Sequence, residues 1–330
     1  MAKIFISRKF TGEAFDRLVN SDNDVNVFTE DRPMTPEELL ENAKGSDAVL
    51  SFLTDKINAE VIDAIGPQLK VLSNYAVGFN NINVDDATAK GVVVTNTPSE
   101  EVNQSVAEFA ITLMTALAKR IVEADQSTRK GAYHGWEPHI YIGTNMLGKT
   151  LGIVGMGRIG EITAKIGKGY DMKVLYHNRS RKEDLEGELG VEYRENLDEL
   201  LSQSDFVSLH VPLTDETRHL INKDTLAKMK RGSFLINTAR GPVVDEHALV
   251  EALRDGQVAG AGIDVYEQEP DINPELMAME NVILTPHIAS ATKEARDKMG
   301  EQAVSALLEV LSGSMPENIV NSEVWERRRT

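Results

Sequence analysis

Short runs rich in Val, Ile and other apolar residues recur along the first hundred positions, at 3–7, 25–29, 48–52, 70–74 and 92–96. Between them lie polar stretches of helical character such as 36–43 and 59–65. Strand alternating with helix predicts a parallel sheet covered on both faces. Next, Val102, Val106, Phe109, Leu113, Leu117 and Ile121 are spaced by three and four, which predicts a single amphipathic helix. Thr97-Pro98-Ser99-Glu100 reads as a capping box with proline in the first turn, and sets the helix start between 98 and 103. Residues 131–147, with their glycines, proline and aromatics, predict a loop. A second strand–helix series follows, with strands near 151–155, 173–177, 206–211, 233–237, 260–265 and 281–285. Six such strands are what a complete dinucleotide-binding sheet needs. A last helix is predicted from 292 to about 311, ended by Gly313 and Pro316 and followed by a polar tail. The chain shows no internal repeat and no low-complexity tract.

Chemistry enters with Gly155-Met156-Gly157-Arg158-Ile159-Gly160, which follows a predicted strand and opens a predicted helix over 158–165. That context turns a weak motif into a dinucleotide signal, because the glycines permit a tight turn and the helix N-terminus offers free N–H groups to a pyrophosphate. The next strand ends Tyr176-His177-Asn178-Arg179-Ser180-Arg181, with no acidic residue before Glu183. An Asp or Glu about here would hold a ribose 2′-hydroxyl. Two arginines and a hydroxyl instead suit a 2′-phosphate, so NADP(H) is the expected cofactor and NAD(H) the alternative. The competing reading of the same residues is a solvated, charged surface loop.

Three further residues stand at or beyond predicted strand ends: Arg240 in Asn237-Thr238-Ala239-Arg240-Gly241, Glu269 beyond Ile263-Asp264-Val265, and His287 in Thr285-Pro286-His287. A cation, a carboxylate and an imidazole suffice to reduce a keto acid, and carboxyl ends of neighbouring strands converge on one crevice in open α/β sheets.

Composition narrows the classes. A length of 330 residues predicts two domains. The net charge of −17 argues against nucleic acid and anionic membrane surfaces as partners. An enzyme of this charge that takes anionic ligands must gather cations locally, the candidates being Arg179, Arg181 and Arg240. With no cysteine there is neither a disulfide framework nor a thiolate site. No apolar run is long enough to span a bilayer or serve as a signal peptide, so a cytoplasmic location is expected and no metal is called for.

Several motifs in order carry a closer likeness: Asn74-Tyr75-Ala76-Val77-Gly78, Gly148-Lys149-Thr150-Leu151-Gly152-Ile153-Val154-Gly155, His210-Val211-Pro212-Leu213-Thr214, Asn237-Thr238-Ala239-Arg240-Gly241 and Thr285-Pro286-His287-Ile288-Ala289-Ser290. With these the chain resembles the D-isomer-specific 2-hydroxyacid dehydrogenases, most of all their glyoxylate/hydroxypyruvate reductase branch, from the first strand to about Asn321. The resemblance implies an α/β protein of two domains. One is a Rossmann dinucleotide-binding domain over 100–287, and the other a flavodoxin-like, discontinuous substrate domain over 1–99 and 288–330, with chemistry in a closing cleft between them. It implies His287 as general acid, Glu269 as the buried carboxylate that orients it, and Arg240 as the clamp on the substrate carboxylate, assisted by the N–H groups of Val77 and Gly78. It further implies cofactor contacts from the glycine turn with Arg158 and Ile159, and from Asn178, Arg179, Ser180 and Arg181. The rest come from His210, Val211, Pro212, Thr217, Thr238, Ala239, Arg240, Asp264, His287 and Ala289. Asp264 has two readings, a neighbour of the nicotinamide or a turn residue at a strand end. Trp136 also has two. It packs on its own domain, or it lies on an arm that embraces the second subunit of a homodimer and limits substrate size there.

The expected reaction is hydride transfer to a small 2-keto acid, glyoxylate or hydroxypyruvate, giving the 2-hydroxy acid. Two alternatives remain. A D-3-phosphoglycerate dehydrogenase-like enzyme should show arginines in the loops around 53–56 and 74–78, which have none, and more chain for a regulatory domain. A non-catalytic cofactor-sensing binding protein of the same fold can keep the triad, so turnover separates it. Formate oxidation would need no acid–base pair.

Overall fold

Strands buried on both faces read as continuous apolar runs, and such runs become the strands of two sheets. The computed structural model describes residues 1–330. The chain divides into a first unit, Met1–Val102 with Ala291–Thr330, and a second, Asn103–Ser290.

In the first unit, β1 (Lys3–Ile6), β2 (Asp24–Val27), β3 (Ala48–Ser51), β4 (Val71–Asn74) and β5 (Val93–Thr95) form a parallel sheet in the order β2-β1-β3-β4-β5. This is the flavodoxin-like order. Phe5, Val49, Ile62, Leu72 and Val94 make its core, all of them buried. The helix Lys293–Ser312 returns from the far end of the sequence to this sheet, where Ser73 Oγ donates to the Ala303 carbonyl at 2.8 Å. Thr292 caps its start and Gly313, at φ 90°, ends it in the left-handed conformation that glycine accepts without strain. The expected polar tail is instead packed: Val324 is buried, and Asn321 accepts from Val94 N and donates to the Val92 carbonyl.

The second unit holds β6 (Thr150–Val154), β7 (Lys173–His177), β8 (Glu192–Tyr193), β9 (Phe206–Leu209), β10 (Ser233–Asn237), β11 (Val258–Ile263) and β12 (Val282–Leu284). All pair in parallel in the order β12-β11-β10-β9-β6-β7-β8. Counted from its own first strand this is the Rossmann order 3-2-1-4-5-6 with one strand added. The unforeseen strand is β8, two residues at the sheet edge and too short to show a period.

The single long helix expected over this region is two. One runs Glu100–Ala118 and the next Ile121–Arg129, with Arg120 between them in the left-handed region at φ 54°. The break has a local cause. Thr144 N donates to the Ala118 carbonyl at 2.8 Å, and Gly143 lies so close to it that a Cβ there would be 2.2 Å away. The loop therefore occupies the acceptor that a continuing helix would use. Ile121, expected on the buried stripe, is 52% exposed. At the helix start, Ser99 rather than Thr97 is the capping side chain, accepting Val102 N at 3.2 Å. Leu113 and Leu117 pack on β11 through Gly260 and Gly262, where a Cβ would meet them at 3.0–3.3 Å. No helix is long and apolar enough to cross a membrane.

Candidate active site

The glycine turn shows why each glycine stands where it does. At Gly155, φ is 100° and a Cβ would lie 2.8 Å from the His210 carbonyl; at Gly160 it would lie 2.2 Å from the Gly155 carbonyl. Protein contacts thus account for the first and third glycines. A Cβ on Gly157, by contrast, would meet nothing. Gly157 is the N-cap of the helix Arg158–Gly169, which has no side-chain cap, while Arg158 is exposed and Ile159 half-buried. Open space beside uncapped helix N–H groups fits a diphosphate. The buried Oγ1 of Thr238, at the end of β10, has no partner in the protein and fits a bound polar group in the same way.

Beyond β7, the two arginines differ. Arg181 is committed: its guanidinium makes a two-point pair with Glu186, at 2.8 and 2.7 Å, and lies over the Tyr193 ring. The Arg181 pair and the Tyr176 hydroxyl hold the Glu186 carboxyl down to about 2. Arg181, one of the cations expected at a 2′-phosphate, thus already holds a carboxylate partner. Arg179 is exposed and enters no such pair. Asn178 Nδ2 donates to the Ser180 carbonyl at 2.9 Å, which shapes the turn between them.

Across β6 from this turn, the loop after β9 carries His210, Val211, Pro212 and Thr217. Burial pushes the His210 imidazole down to about 4, so it is neutral at ordinary pH, with Nε2 2.9 Å from Ser208 Oγ. Thr217 Oγ1 donates to the Pro212 carbonyl at 2.6 Å and closes the loop.

Arg240, Glu269 and His287 come together at the carboxyl ends of β10, β11 and β12, neighbours in the sheet. The buried Asn237 side chain turns the end of β10, accepting Ala239 N and donating to the Arg240 carbonyl. Burial lowers the Arg240 guanidinium below its ordinary pKa while the Glu269 charge opposes this, and an arginine stays charged throughout. Glu269 Oε2 lies 3.0 Å from His287 Nδ1, and its Oε1 accepts Tyr266 N at 3.1 Å. The side chains are 38% and 29% exposed, so the carboxylate is open to solvent on one side rather than deeply buried as expected. Burial alone would raise the Glu269 carboxyl, but His287, the Tyr266 N–H and Arg240 together hold it below its ordinary value. With Nδ1–H given to the carboxylate, His287 Nε2 is left to carry a transferable proton.

Asp264 is fully buried, and every bond its carboxylate makes runs to the His287 loop. Oδ1 accepts from Thr285 Oγ1 and Ile288 N, and Oδ2 from Ala289 N, at 2.7–2.8 Å. Tyr266 adds a bond from its hydroxyl to the Thr285 carbonyl at 2.8 Å. These bonds hold His287 at φ 55°, a left-handed backbone that a non-glycine residue adopts only under constraint. The turn-residue reading of Asp264 accounts for all of these contacts.

In the first unit, Val77 and Gly78 follow β4. Their carbonyls accept from Asn96 and Asn74, whereas their N–H groups find no acceptor in the protein. Two adjacent free N–H groups are a pattern that suits an anion. The same strand ends hold an arginine overlooked in the loop reading. Arg8, just after β1, is near enough to Asp55 to lower its carboxyl, although burial dominates and raises it overall. Ser7 Oγ and Phe52 N also donate to Asp55. Its signal was its place after a strand, not in a loop motif.

Trp136 lies in the second unit, 84% exposed, in the irregular segment predicted as a loop. A cavity of about 710 Å³ opens at the amino ends of β6, β9, β10 and β12, lined by Leu117, Arg120, Lys149, Asp205 and Phe234 among others. Ligands of open α/β sheets bind at the carboxyl ends, so this cavity is not the candidate site. No group of His, Asp or Glu side chains is arranged to hold a metal ion.

A family model described as D-isomer specific 2-hydroxyacid dehydrogenase, NAD binding domain, matches residues 111–289. A glyoxylate reductase of Thermofilum pendens is 48% identical over 328 residues, covering 99% of this chain and 96% of that protein. The glyoxylate reductase of Korarchaeum cryptofilum is 45% identical over 329 residues, covering 99% and 98%. A solved NADPH-dependent glyoxylate/hydroxypyruvate reductase from Sinorhizobium meliloti superposes with a TM-score of 0.82 at 30% identity, covering 98% of this chain and 99% of that one.

Proposed function

Because the chain belongs to the D-isomer specific 2-hydroxyacid dehydrogenases, we propose that it reduces glyoxylate, and hydroxypyruvate as a second substrate, with NADPH as the preferred cofactor. The observation that carries this reading is the His287–Glu269 pair at 3.0 Å beside a half-buried arginine. Carbonyl reduction needs a proton donor, a group to orient it and a cation for the carboxylate, and these three side chains supply them.

The glycine turn with Arg158 and Ile159, together with Thr238, would hold the dinucleotide. Arg179 and Ser180 would hold its 2′-phosphate. The nicotinamide of the dinucleotide held by these residues would supply the hydride for carbon 2 of the keto acid. Arg240 binds the substrate carboxylate and polarises the carbonyl. His287 gives the proton on Nε2 to the carbonyl oxygen, and Glu269 stabilises the charged imidazole before transfer. One hydride and one proton turn the C=O into CH–OH. The NADPH dependence named for the Sinorhizobium meliloti relative supports the cofactor preference.

The working assembly is a two-fold homodimer. Tyr133, Trp136, Ile140, Ile142 and Leu147 are 44–84% exposed within one short segment, an apolar surface that a lone chain rarely leaves in water. A single panel tests the reading: glyoxylate, hydroxypyruvate, pyruvate and phosphohydroxypyruvate, each with NADPH and NADH. Highest efficiency is expected for glyoxylate with NADPH. Preference for the phosphorylated acid would instead mark Arg8 as a phosphate contact and the enzyme as phosphoglycerate dehydrogenase-like. Cofactor binding without turnover would mark a binding protein.

A further inference from the structure

Glu246 is a buried acid that the proposed reaction leaves unused. It opens the helix Glu246–Arg254, yet the cap is supplied by Asp245, whose side chain accepts Ala248 N. The Glu246 side chain points its hydrogen bond elsewhere. Its Oε1 accepts Glu267 N at 2.7 Å, and Glu267 Oε2 accepts Glu246 N at 3.4 Å, a reciprocal exchange between residues 21 apart. The other oxygen of Glu267 lies 2.7 Å from His219 Nε2. His219 is itself left-handed at φ 49°, with its N–H donating to the Pro242 carbonyl. Gly241, next to Arg240, presses on the same loop so closely that a Cβ would come within 1.8 Å of the Tyr266 carbonyl. The segment 240–246 and the segment 265–269 are therefore latched along their length, and Glu269 follows the latch by two residues.

Holding two carboxylates side by side costs free energy, so the arrangement calls for a return. Burial and the Glu267 charge raise the Glu246 carboxyl, while the Glu267 N–H and His247 pull the other way. The His219 imidazole faces Glu267, and Glu269 and Tyr266 are the remaining ionisable groups on the loop.

We infer that Glu246 is a positioning residue: through the backbone of Glu267 it keeps Glu269 on Nδ1 of His287 and holds that pair in register with Arg240. This rests on the functional reading above for its effect on turnover, but the geometry it asserts can be read without turnover.

The test compares Glu246→Ala and Glu246→Gln with the wild type, full chain, in two measurements. The first follows glyoxylate reduction with NADPH across pH 5–9, with NADPH binding by fluorescence. The Ala variant is expected to lose about 10- to 100-fold in kcat, as a misplacement near 1 Å does, with little change in KM or NADPH affinity. Its alkaline limb should move to lower pH, since a displaced Glu269 no longer favours the charged imidazole. The Gln variant should recover most of this, because its amide oxygen can still accept Glu267 N–H. The second measurement titrates the imidazoles by NMR, with His287 assigned by its own substitution, and expects a lower His287 midpoint in Glu246→Ala only. An unchanged midpoint, a Gln variant as impaired as Ala, or parallel losses in kcat and NADPH binding that track a lower melting temperature would each overturn the inference. A wild type inactive on every keto acid but with the expected NMR shift would overturn the functional reading alone.

Discussion

The carboxylate of Asp264 accepts the backbone N–H of Ile288 at 2.8 Å, and with it the conformation of the residue before, His287, is decided. A left-handed backbone is uncommon for a residue with a side chain and gains from outside support. Asp264, from the end of β11, supplies the hydrogen bonds that keep it there, and Glu269, from the loop beyond, takes its Nδ1. The proton donor is thus clamped from one strand end and oriented from the loop that follows it.

Replacing Asp264 by Ala should therefore damage the reaction without touching reacting atoms. Three donors, one of them fully buried, lose their acceptor, and each unsatisfied buried group costs roughly 1–3 kcal/mol. Turnover and melting temperature should both fall. Asp264→Asn, which keeps one acceptor oxygen, should fall between. A variant with wild-type kcat and stability would show that the loop holds His287 unaided.

His287→Ala should lower turnover by about 10²- to 10⁴-fold while NADPH still binds, as loss of a general acid does. Wild-type reduction should also slow as the medium turns alkaline, because the donor is depleted. His210, with its imidazole near 4, carries no charge between pH 5 and 8, so His210→Asn should leave the shape of that profile unchanged. If it is the His210 variant that flattens the profile, the proton donor has been misassigned.

The acid side reports on Glu269. Its carboxyl lies below the ordinary 4.5, so it stays ionised as pH falls through that value and its stabilising pairing is lost only at lower pH. Reduction should hold its rate from pH 6 down to about 5. A reversible, half-maximal loss above pH 5 that Glu269→Gln abolishes would contradict the direction of the shift.

Cofactor choice should depend on Arg179 far more than on Arg181. A charge-assisted contact corresponds to a preference of about tenfold or more for NADPH over NADH. Arg179→Asp should erase it. Arg181→Ala should instead loosen the helix Glu183–Leu189 through Glu186 and leave the ratio of efficiencies nearly intact. Equal use of both cofactors by the wild type would remove the basis for the assignment.

Trp136→Ala tests the assembly. An interface aromatic of this size typically contributes on the order of 2 kcal/mol or more, so the variant should dissociate at a higher protein concentration in sedimentation experiments. A wild type that is monomeric at micromolar concentration rules out the dimer reading.

Strand positions were legible because buried parallel strands are uninterrupted apolar runs: 173–177 and 233–237 reappear as β7 and β10. The glycine turn was legible because its needs are backbone needs, met by residue type alone. Period failed where the period was too short or locally overruled. The two residues of β8 show no alternation, and the stripe from Val102 to Ile121 runs through a break that Thr144 and Gly143 impose from 23 or more residues away.

Sequence by itself determined the two sheets, the nucleotide turn and the residue types able to reduce a keto acid, since hydrophobic period, glycine freedom and side-chain chemistry are local properties. Only tertiary structure decided which of those side chains are committed. Arg181 is spent on Glu186, Asp264 on the His287 loop and Glu246 on Glu267, because partners chosen across helix and strand ends depend on where separate segments pack, and no local pattern encodes that.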